Sequence, residues 1–246
     1  MRDPRLHVFP DPAALALAAA ERIAAVAADA IAARGRCRLV LAGGETPRQT
    51  YEVLAGAGQA GRVDWPRVEF FWGDERCVSP EDARSNYRMA REALLDRVPV
   101  TPGNVHRIHG EDEPARAAVA YERQLAGVVP DLVLLGLGQD GHTASLFPGH
   151  AAVRERVRTV LAEYVREVSA WRVTMTPPML NAGRAVLFLV SGPGKAGPLR
   201  LALEGSLPPA LLPVKAVRPS SGCLDWMVDL AAASGLAHVT SVSTET

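Results

Sequence analysis

Short apolar runs alternate with longer helical stretches along the chain, and this alternation restricts the fold more than any other feature of the sequence. Mostly apolar strands that are separated by helices are typical of a parallel sheet covered on both faces. We therefore predict an α/β protein with a doubly wound, mostly parallel sheet and helices on both faces. The candidate strands are residues 6–9, 37–41, 68–72, 132–135, 159–161 and 186–190, and the candidate helices are 13–33, 47–54, 86–97, 114–125 and 196–203.

The chain shows no internal division. Its 246 residues are 48% hydrophobic, which is enough to bury a substantial core. No repeat, low-complexity tract or long Pro/Gly/Ser linker separates one part from another, so we predict a single domain over residues 1–246. Residues 207–213 contain three prolines and are predicted to form a rigid loop before a final strand.

Composition restricts the partners and the compartment. The 27 basic and 27 acidic residues balance, which argues against a nucleic-acid or anionic-membrane partner. The Ala-rich stretch at 13–33 is interrupted by Glu21, Arg22 and Asp29, so it fits an amphipathic helix better than a signal sequence or a membrane span. Three scattered cysteines without CxxC spacing favour a reducing compartment over a disulfide framework or a zinc site. We expect a cytoplasmic monomer or small homo-oligomer.

Ligands of doubly wound folds bind beyond the carboxyl ends of the strands, so the loops there need the closest attention. The loop after the second apolar run is Ala-Gly-Gly-Glu-Thr-Pro. Gly43 and Gly44 allow close backbone approach, Thr46 is the predicted N-cap and Pro47 suits the first helical position. This pattern fits either an anion site at a helix N-terminus or an ordinary tight turn. Glu45 would repel a phosphate, so it points away or bonds a sugar hydroxyl.

A polar triplet, Asp74, Glu75 and Arg76, follows the third apolar run, and Ser-Asn-Tyr at residue 85 opens the next helix. The triplet either serves one polar site from several sides or forms a solvated turn. Cys77 has no neighbouring histidine motif, so we interpret it as structural rather than as a nucleophile.

The most informative segment follows the fourth apolar run and is Gly-Leu-Gly-Gln-Asp-Gly-His-Thr-Ala-Ser-Leu-Phe-Pro, residues 136–148. It matches the G-x-G-x-x-G dinucleotide loop, with Glu163 near the position of a ribose-binding acid. However, Pro148 and the glycine after it interrupt the chain too early for a crossover helix. We therefore reject dinucleotide binding and are left with a glycine-rich loop that presents Asp140 and His142.

His142 is the candidate general base. Imidazole has an unperturbed pKa near ~6.5 and accepts a proton readily at neutral pH, and a nearby carboxylate can fix its tautomer. Both Asp140 and Asp74 are candidates for that carboxylate. We interpret the remaining histidines as structural: His7, His106, His109, His150 and His238.

Two cationic residues are candidate phosphate ligands. Lys195 lies in Ser-Gly-Pro-Gly-Lys-Ala, which resembles half a Walker loop, but Leu189 stands where the first glycine should be and Ala196 replaces the magnesium-binding hydroxyl. Nucleotide hydrolysis is therefore not expected, although Lys195 still provides a point charge for a phosphate. Arg172 is either a second phosphate ligand or a surface arginine on a strand.

Taken together, these segments resemble the 6-phosphogluconolactonase family over nearly the whole chain. The most specific element is Asp-Gly-His-Thr-Ala-Ser-Leu-Phe-Pro at 140–148. The first loop departs from the family's Ser-Gly-Gly-Ser-Thr-Pro at Ala42 and Glu45. The other matching segments are 42–47, 73–76, 85–87, 172–174, 192–195 and 226–231.

The resemblance implies a Rossmann-like fold that hydrolyses 6-phospho-D-glucono-1,5-lactone to 6-phosphogluconate, in the oxidative pentose phosphate pathway, with no metal or cofactor. His142 would deprotonate water, with Asp140 or Asp74 holding its ring. The substrate is the only partner expected. The residues expected around it are Gly43, Gly44, Gly138 and Arg76 at the oxyanion and sugar, Thr46, Arg48, Arg172 and Lys195 at the phosphate, and Glu45, Asn86, Gly141 and Thr143 elsewhere.

Two other functions remain as alternatives. Glucosamine-6-phosphate deaminases share a similar phosphate loop and Asp-Gly-His segment, but they continue with Ile-Ala-Phe-Asn-Glu-Pro where this chain has Thr-Ala-Ser-Leu-Phe-Pro. The carboxylate expected for their ring-opening proton relay is therefore missing. A non-catalytic sugar-phosphate sensor would normally carry a DNA-binding module, and the first strand at about Leu6 leaves no room for one.

Overall fold

The computed structural model describes residues 4–237, so His238 lies outside the described residues. Nine strands are present in that range: β1 Arg5–Phe9, β2 Cys37–Leu41, β3 Val68–Trp72, β4 Asp74–Arg76, β5 Leu132–Leu135, β6 Val160–Val165, β7 Ala170–Met175, β8 Ala185–Val190 and β9 Cys223–Asp229. The helices are α1 Pro12–Arg34, α2 Glu45–Leu54, α3 Asn86–Ala93, α4 Pro114–Gln124, α5 Ala151–Arg154, α6 Pro177–Leu180, α7 Ala196–Leu203 and α8 Leu230–Ala233.

Six strands form one parallel sheet in the order β1-β9-β8-β5-β2-β3. This confirms the predicted α/β class with a mostly parallel sheet. The central strands β5 and β8 are buried along their whole length, as continuous apolar runs predict. From β2 the chain continues outward to β3, whereas from β5 it continues toward β8 and β9 on the other side. The boundary between β2 and β5 is therefore a topological switch point, where loops diverge and leave a crevice.

A second, three-stranded sheet in the order β4-β7-β6 was not predicted. All its pairs are antiparallel, and β6 and β7 form a hairpin. The run at 159–161 was predicted as a strand of the parallel sheet. It lies instead at the start of β6 in this small sheet. The sequence pattern did not predict β4, because its three residues are all charged and lack the alternation of apolar and polar residues that is typical of a strand. The predicted final strand is β9, which lies between β1 and β8.

The start of α2 differs from the prediction. Gly44, not Thr46, is the N-cap, Glu45 is the first helical residue and Pro47 is the third. Gly44 adopts φ 106°, a conformation that glycine tolerates and that lets the helix begin directly after the strand-end loop. At α3 the cap is Ser85, whose hydroxyl accepts from the Arg88 amide.

Two buried tyrosines fix the backbone where strands end. The Tyr51 hydroxyl accepts from the Ala42 amide at 2.9 Å and donates to the Ala42 carbonyl at 3.0 Å. Tyr121 does the same at Trp72, at 2.8 and 3.0 Å. Burial raises the pKa of both phenols, so they stay protonated and can donate. The loops beyond β2 and β3 therefore start from fixed positions.

In the part of the chain that the structure describes, no helix combines the length and the apolar character needed to cross a membrane.

Replacing Tyr51 with Phe should lower the free energy of unfolding by about 1–3 kcal/mol, because the buried Ala42 amide and carbonyl lose their shared partner. Urea denaturation measures this change. Tyr164→Phe is the control, since Tyr164 is 44% exposed and its loss should stay within about 0.5 kcal/mol. Equal, small effects of the two variants would contradict the structural role of the Tyr51 hydroxyl.

Candidate active site

A cavity of about 490 Å³ opens at the carboxyl ends of β2 and β5, where the switch point predicts a ligand site. Most of the predicted site residues line it: Gly43, Gly44, Asp74, Arg76, Asn86, Gly138, Asp140, His142, Thr143 and Lys195.

His142 is bound by Asp140. The Nδ1 atom of the ring lies 2.6 Å from Asp140 Oδ1, and the His142 amide donates to the same oxygen at 3.1 Å. The carboxylate accepts, so we assign the proton to Nδ1, which leaves Nε2 as the basic nitrogen. Burial disfavours the Asp140 carboxylate, but the hydrogen bonds from the His142 ring and amide outweigh it, so the pKa of Asp140 lies below its ordinary value.

Asp74 does not hold this ring. It is 8% exposed, and its carboxylate accepts from the Ser145 hydroxyl at 2.6 Å and from Asn86 Nδ2 at 3.2 Å. The alternative left open by the sequence, Asp140 or Asp74 as the partner of His142, is therefore decided for Asp140. Asp74 lines the same cavity with its oxygens already fixed.

The His142 ring is also held from its faces. Phe147 stacks on it with ring centroids 4.2 Å apart and planes inclined by 25°. On another side lies Gly138, where an added Cβ would stand 2.1 Å from His142 Nδ1. The Gly138 amide donates to the His142 carbonyl at 2.7 Å. The expectation that this amide contacts the substrate oxyanion is therefore corrected: Gly138 makes room for the ring, and its donor is occupied.

Glu75 organises the entry to α3. It is only 3% exposed, and its carboxylate accepts from the amides of Arg76, Asn86 and Tyr87 at 2.7 to 2.8 Å and from the Ser85 hydroxyl at 3.0 Å. Burial raises the pKa of Glu75, and these hydrogen bonds oppose the shift. The polar triplet is therefore a buried anchor and not a solvated turn.

The glycine loop after β2 packs directly on this anchor. An added Cβ on Gly43 would lie 1.8 Å from Asn86 Oδ1, so a side chain at that position would expel Asn86. The amides of Gly43 and Gly44 have no protein acceptor within residues 4–237. They remain unpaired donors of two residues that line the cavity.

Four residues expected near the phosphate or the sugar do not line the cavity: Glu45, Thr46, Arg48 and Arg172. Of these, only Arg172 lines the space next to it. Glu45 is 62% exposed and is bound by Arg48 at 2.8 Å, and Arg48 also contacts Glu52 at 2.9 Å. Glu45 thus points away from the cavity, which is one of the two orientations predicted from the sequence. Arg48 is committed to its helix neighbours.

Two further residues predicted in the site, Thr143 and Gly141, shape the loop, and neither offers a side-chain donor to a ligand. The Thr143 hydroxyl donates to the Gly136 carbonyl at 2.8 Å and is nearly inaccessible. Gly141 adopts φ 83° and lies against Leu212, outside the cavity wall. Both therefore fix the path of the chain around His142.

Arginines meet beside the cavity. Arg76 and Arg172 are directly opposite each other on β4 and β7, so their side chains share one face of the small sheet. Among the described residues neither pairs with a carboxylate: Arg76 donates to the Arg84 carbonyl and Arg172 to the Trp171 carbonyl. Arg76 lines the cavity, whereas Arg172 lines a neighbouring space of about 720 Å³ that shares Arg76 and Val168 with it. Burial and then Arg76 lower the pKa of Arg172, and Asp74 opposes this.

Lys195 is a further cation of the site. It ends a short turn before α7 and lines the cavity. Burial lowers the pKa of Lys195, and the nearby Asp140 charge partly restores it.

The loop does not lead into the crossover helix that a dinucleotide-binding loop requires, because no helix begins between residues 136 and 150. Glu163 instead accepts from the amides of Ala151 and Ala152 at the start of α5.

Sequence reasoning missed Glu167 and Val168, which line the cavity from the tip of the β6–β7 hairpin. That hairpin was not predicted, so no signal pointed to them. Among the described residues, no group of three or more His, Cys, Asp or Glu side chains is arranged to hold a metal ion.

The chain is similar to known proteins in sequence and in overall fold. Residues 10–226 match the family of glucosamine-6-phosphate isomerases/6-phosphogluconolactonase. The 6-phosphogluconolactonase of Streptomyces coelicolor is 37% identical over 95% of this chain and 95% of its own. That of Nostoc sp. is 37% identical over 94% and 98%. The solved 6-phosphogluconolactonase of Trypanosoma brucei aligns with a TM-score of 0.85 at 30% identity, covering 96% of this chain and all of the other.

Replacing Glu75 with Gln should destabilise the protein by about 2–4 kcal/mol, because a side-chain NH₂ would face backbone amides and a hydroxyl that need an acceptor. Urea denaturation tests this. The exposed Glu81→Gln, which loses only an ion pair with Arg91, serves as the control. If Glu75→Gln costs no more than Glu81→Gln, the anchor role is wrong.

Proposed function

Since this chain belongs to the glucosamine-6-phosphate isomerase/6-phosphogluconolactonase family, we propose that it hydrolyses 6-phospho-D-glucono-1,5-lactone to 6-phosphogluconate in the oxidative pentose phosphate pathway. The observation that carries the proposal is the 2.6 Å contact between Asp140 and His142 in the wall of the switch-point cavity. The relatives named as 6-phosphogluconolactonases, similar over almost the full chain, support the choice of reaction.

His142 acts as the general base. With Nδ1–H bound to Asp140, Nε2 accepts a proton from water as the water oxygen bonds to C1 of the lactone. The carbonyl π electrons move onto oxygen and form a tetrahedral oxyanion. When this collapses, the bond from C1 to the ring oxygen breaks and the imidazolium returns its proton to that oxygen. The acid so formed then releases its proton to solvent.

The oxyanion is bound by backbone amides. The donors of Gly43 and Gly44 lack protein acceptors within the described residues and belong to the cavity wall, which supports this role. A preorganised donor of this kind typically contributes about 10² to 10³ in rate. Arg76, also in the wall, adds a positive charge to the cavity.

The phosphate is held by Lys195 and Arg172, with Arg76 beside Arg172. A phosphate monoester carries about −1.5 to −2 charges at neutral pH. Two guanidinium groups placed opposite each other without a carboxylate partner repel, and an anion between them removes that repulsion. Thr46 and Arg48 have no part in this assignment, because neither lines the cavity or the space beside it, and Arg48 is paired with Glu45 and Glu52.

The proposal covers residues 1–246 as one lactonase domain. A single core extends from Val8 to Ala233 in the described part, which supports this assignment. A lactone carbonyl is already electrophilic, so positioned water and an oxyanion site are sufficient for the chemistry, without a metal or an organic cofactor. We place the enzyme in the cytoplasm, and the scattered free cysteines support that placement.

His142→Ala should lower kcat by about 10² to 10⁴, the usual contribution of a positioned base. Freshly generated lactone in an assay coupled to 6-phosphogluconate oxidation measures this, with spontaneous ring opening subtracted. His109→Ala is the control, because that ring is 49% exposed and lies outside the cavity. Undiminished turnover in His142→Ala would refute the base, and ammonia release from glucosamine 6-phosphate would point to a deaminase.

Arg172→Ala should raise KM about ten- to hundredfold with a smaller change in kcat, since it removes a charge-assisted hydrogen bond worth about 1.5–3 kcal/mol. Steady-state kinetics should be compared with those on phosphate-free D-glucono-1,5-lactone, for which the variant should match the wild type. Arg84→Ala is the matched control: Arg84 lines the same neighbouring space but is bound to Asp82 at 2.8 Å. An equal loss on both lactones would show that Arg172 does not bind the phosphate.

A further inference from the structure

The tip of the β6–β7 hairpin places a carboxylate in the cavity wall. A short turn at Arg166–Val168, closed by Ser169 at φ 47°, connects the two strands. Glu167 and Val168 from this turn line the cavity together with His142. Three carboxylates line it within the described residues: Asp74, Asp140 and Glu167. Asp74 is buried among its partners, whereas the side chain of Glu167 is 53% exposed.

His150 fixes the position of Glu167. The His150 ring is 13% exposed and lies between two carboxylates, with Nε2 3.1 Å from Glu167 and Nδ1 3.4 Å from Glu163. Glu163 is itself held by the amides that start α5. The hairpin tip is thus attached to the segment that directly follows the catalytic loop.

The contact with His150 also places Glu167 on the His142 side of the cavity. Phe147 packs against both imidazoles, with centroids 4.2 Å from His142 and 6.1 Å from His150. Glu167 and Asp140 both line the cavity. Hydrogen bonds from its own amide and from His150 hold the pKa of Glu167 below its ordinary value, and those from His142 do the same for Asp140, so both carboxylates are ionised at neutral pH.

Substrate and product differ in charge at the atom that reacts. The lactone is neutral at C1, whereas 6-phosphogluconate carries a carboxylate there, and both carry the same phosphate. The cations in the wall, Arg76 and Lys195, attract that shared phosphate in both ligands. A fixed negative charge near His142 repels the C1 carboxylate, which only the product carries, so it distinguishes the two ligands.

We propose that Glu167, held by His150, is a specificity-determining residue that weakens binding of the carboxylate product relative to the neutral lactone and so limits product inhibition. The inference rests on the proposed function, because that function places C1 of the ligand at His142. Glu167 has no part in bond making here. Its charge affects which ligand remains bound.

The test compares two ligands that differ only at C1. Isothermal titration gives Kd for 6-phosphogluconate and for D-glucitol 6-phosphate, which has the same carbon chain and phosphate but a neutral hydroxymethyl group at C1. Glu167→Gln keeps the side-chain length and removes the charge. We expect it to tighten 6-phosphogluconate binding about three- to tenfold and to leave glucitol 6-phosphate within about twofold. The effect should shrink in ~1 M salt.

Two further variants sharpen the result. Glu167→Lys should tighten 6-phosphogluconate binding more than Glu167→Gln does, because it reverses the charge at the same place. Glu92→Gln is the matched control: Glu92 has the same exposure, 53%, and is paired with Arg88 on α3, outside the cavity. This control should bind both ligands as the wild type does.

Failure of this inference is distinct from failure of the proposed function. If both ligands bind the wild type and their Kd ratio is the same in the Glu167 variants, Glu167 does not discriminate, although a lactonase site remains. If both affinities change in parallel, the residue acts on the shared part of the ligands and the inference is also overturned. If the wild type does not hydrolyse the lactone in the coupled assay, the proposed function fails and this inference fails with it.

Discussion

The parallel pairing of β2 with β5 is the constraint on which the site depends, because the chain leaves these neighbouring strands in opposite directions. The resulting crevice collects the glycine loop after β2, the loop after β5 that carries His142, Asp74 at the start of β4 and Lys195 beyond β8. No two of these segments are adjacent in sequence. A shift in this pairing would move His142 away from the glycine amides after β2 even if every loop kept its own conformation.

Buried polar contacts convert this arrangement of strands into fixed side-chain positions. Tyr51 fixes the backbone at the end of β2, and Glu75 accepts four hydrogen bonds where α3 begins. Asn86 then connects Asp74 to the glycine loop. Such networks stabilise a fold only when every member has a partner, and here the satisfied groups lie directly beneath the cavity. The cavity residues are thus positioned before any ligand arrives.

Much of the fold and the centre of the site could be predicted from the sequence, because both follow from local patterns. Apolar runs identified the parallel strands, and glycine-rich strand ends identified the loop that carries His142. The features that the sequence did not predict depend on contacts between distant parts of the chain. The charged strand β4 exists only because β7 pairs with it, and the cavity position of Glu167 depends on the hairpin that follows from that sheet. The Gly138 amide is not available to a ligand because it donates a hydrogen bond to the His142 carbonyl. The sequence could not decide between Asp140 and Asp74 as the partner of His142, because only the fold brings the Ser145 hydroxyl to the Asp74 carboxylate.

Two positions without a side chain restrict how this site can change over evolution. At Gly43 and Gly138 the volume that a methyl group would fill is taken by Asn86 at 1.8 Å and by the imidazole of His142 at 2.1 Å. At Gly136 and Gly192 nothing lies within 4 Å. A larger residue is therefore excluded at Gly43 and Gly138, because its side chain would clash with Asn86 or His142. Gly136 has open space for a small side chain, whereas Gly192, at φ 94°, is restricted by its backbone and not by its neighbours.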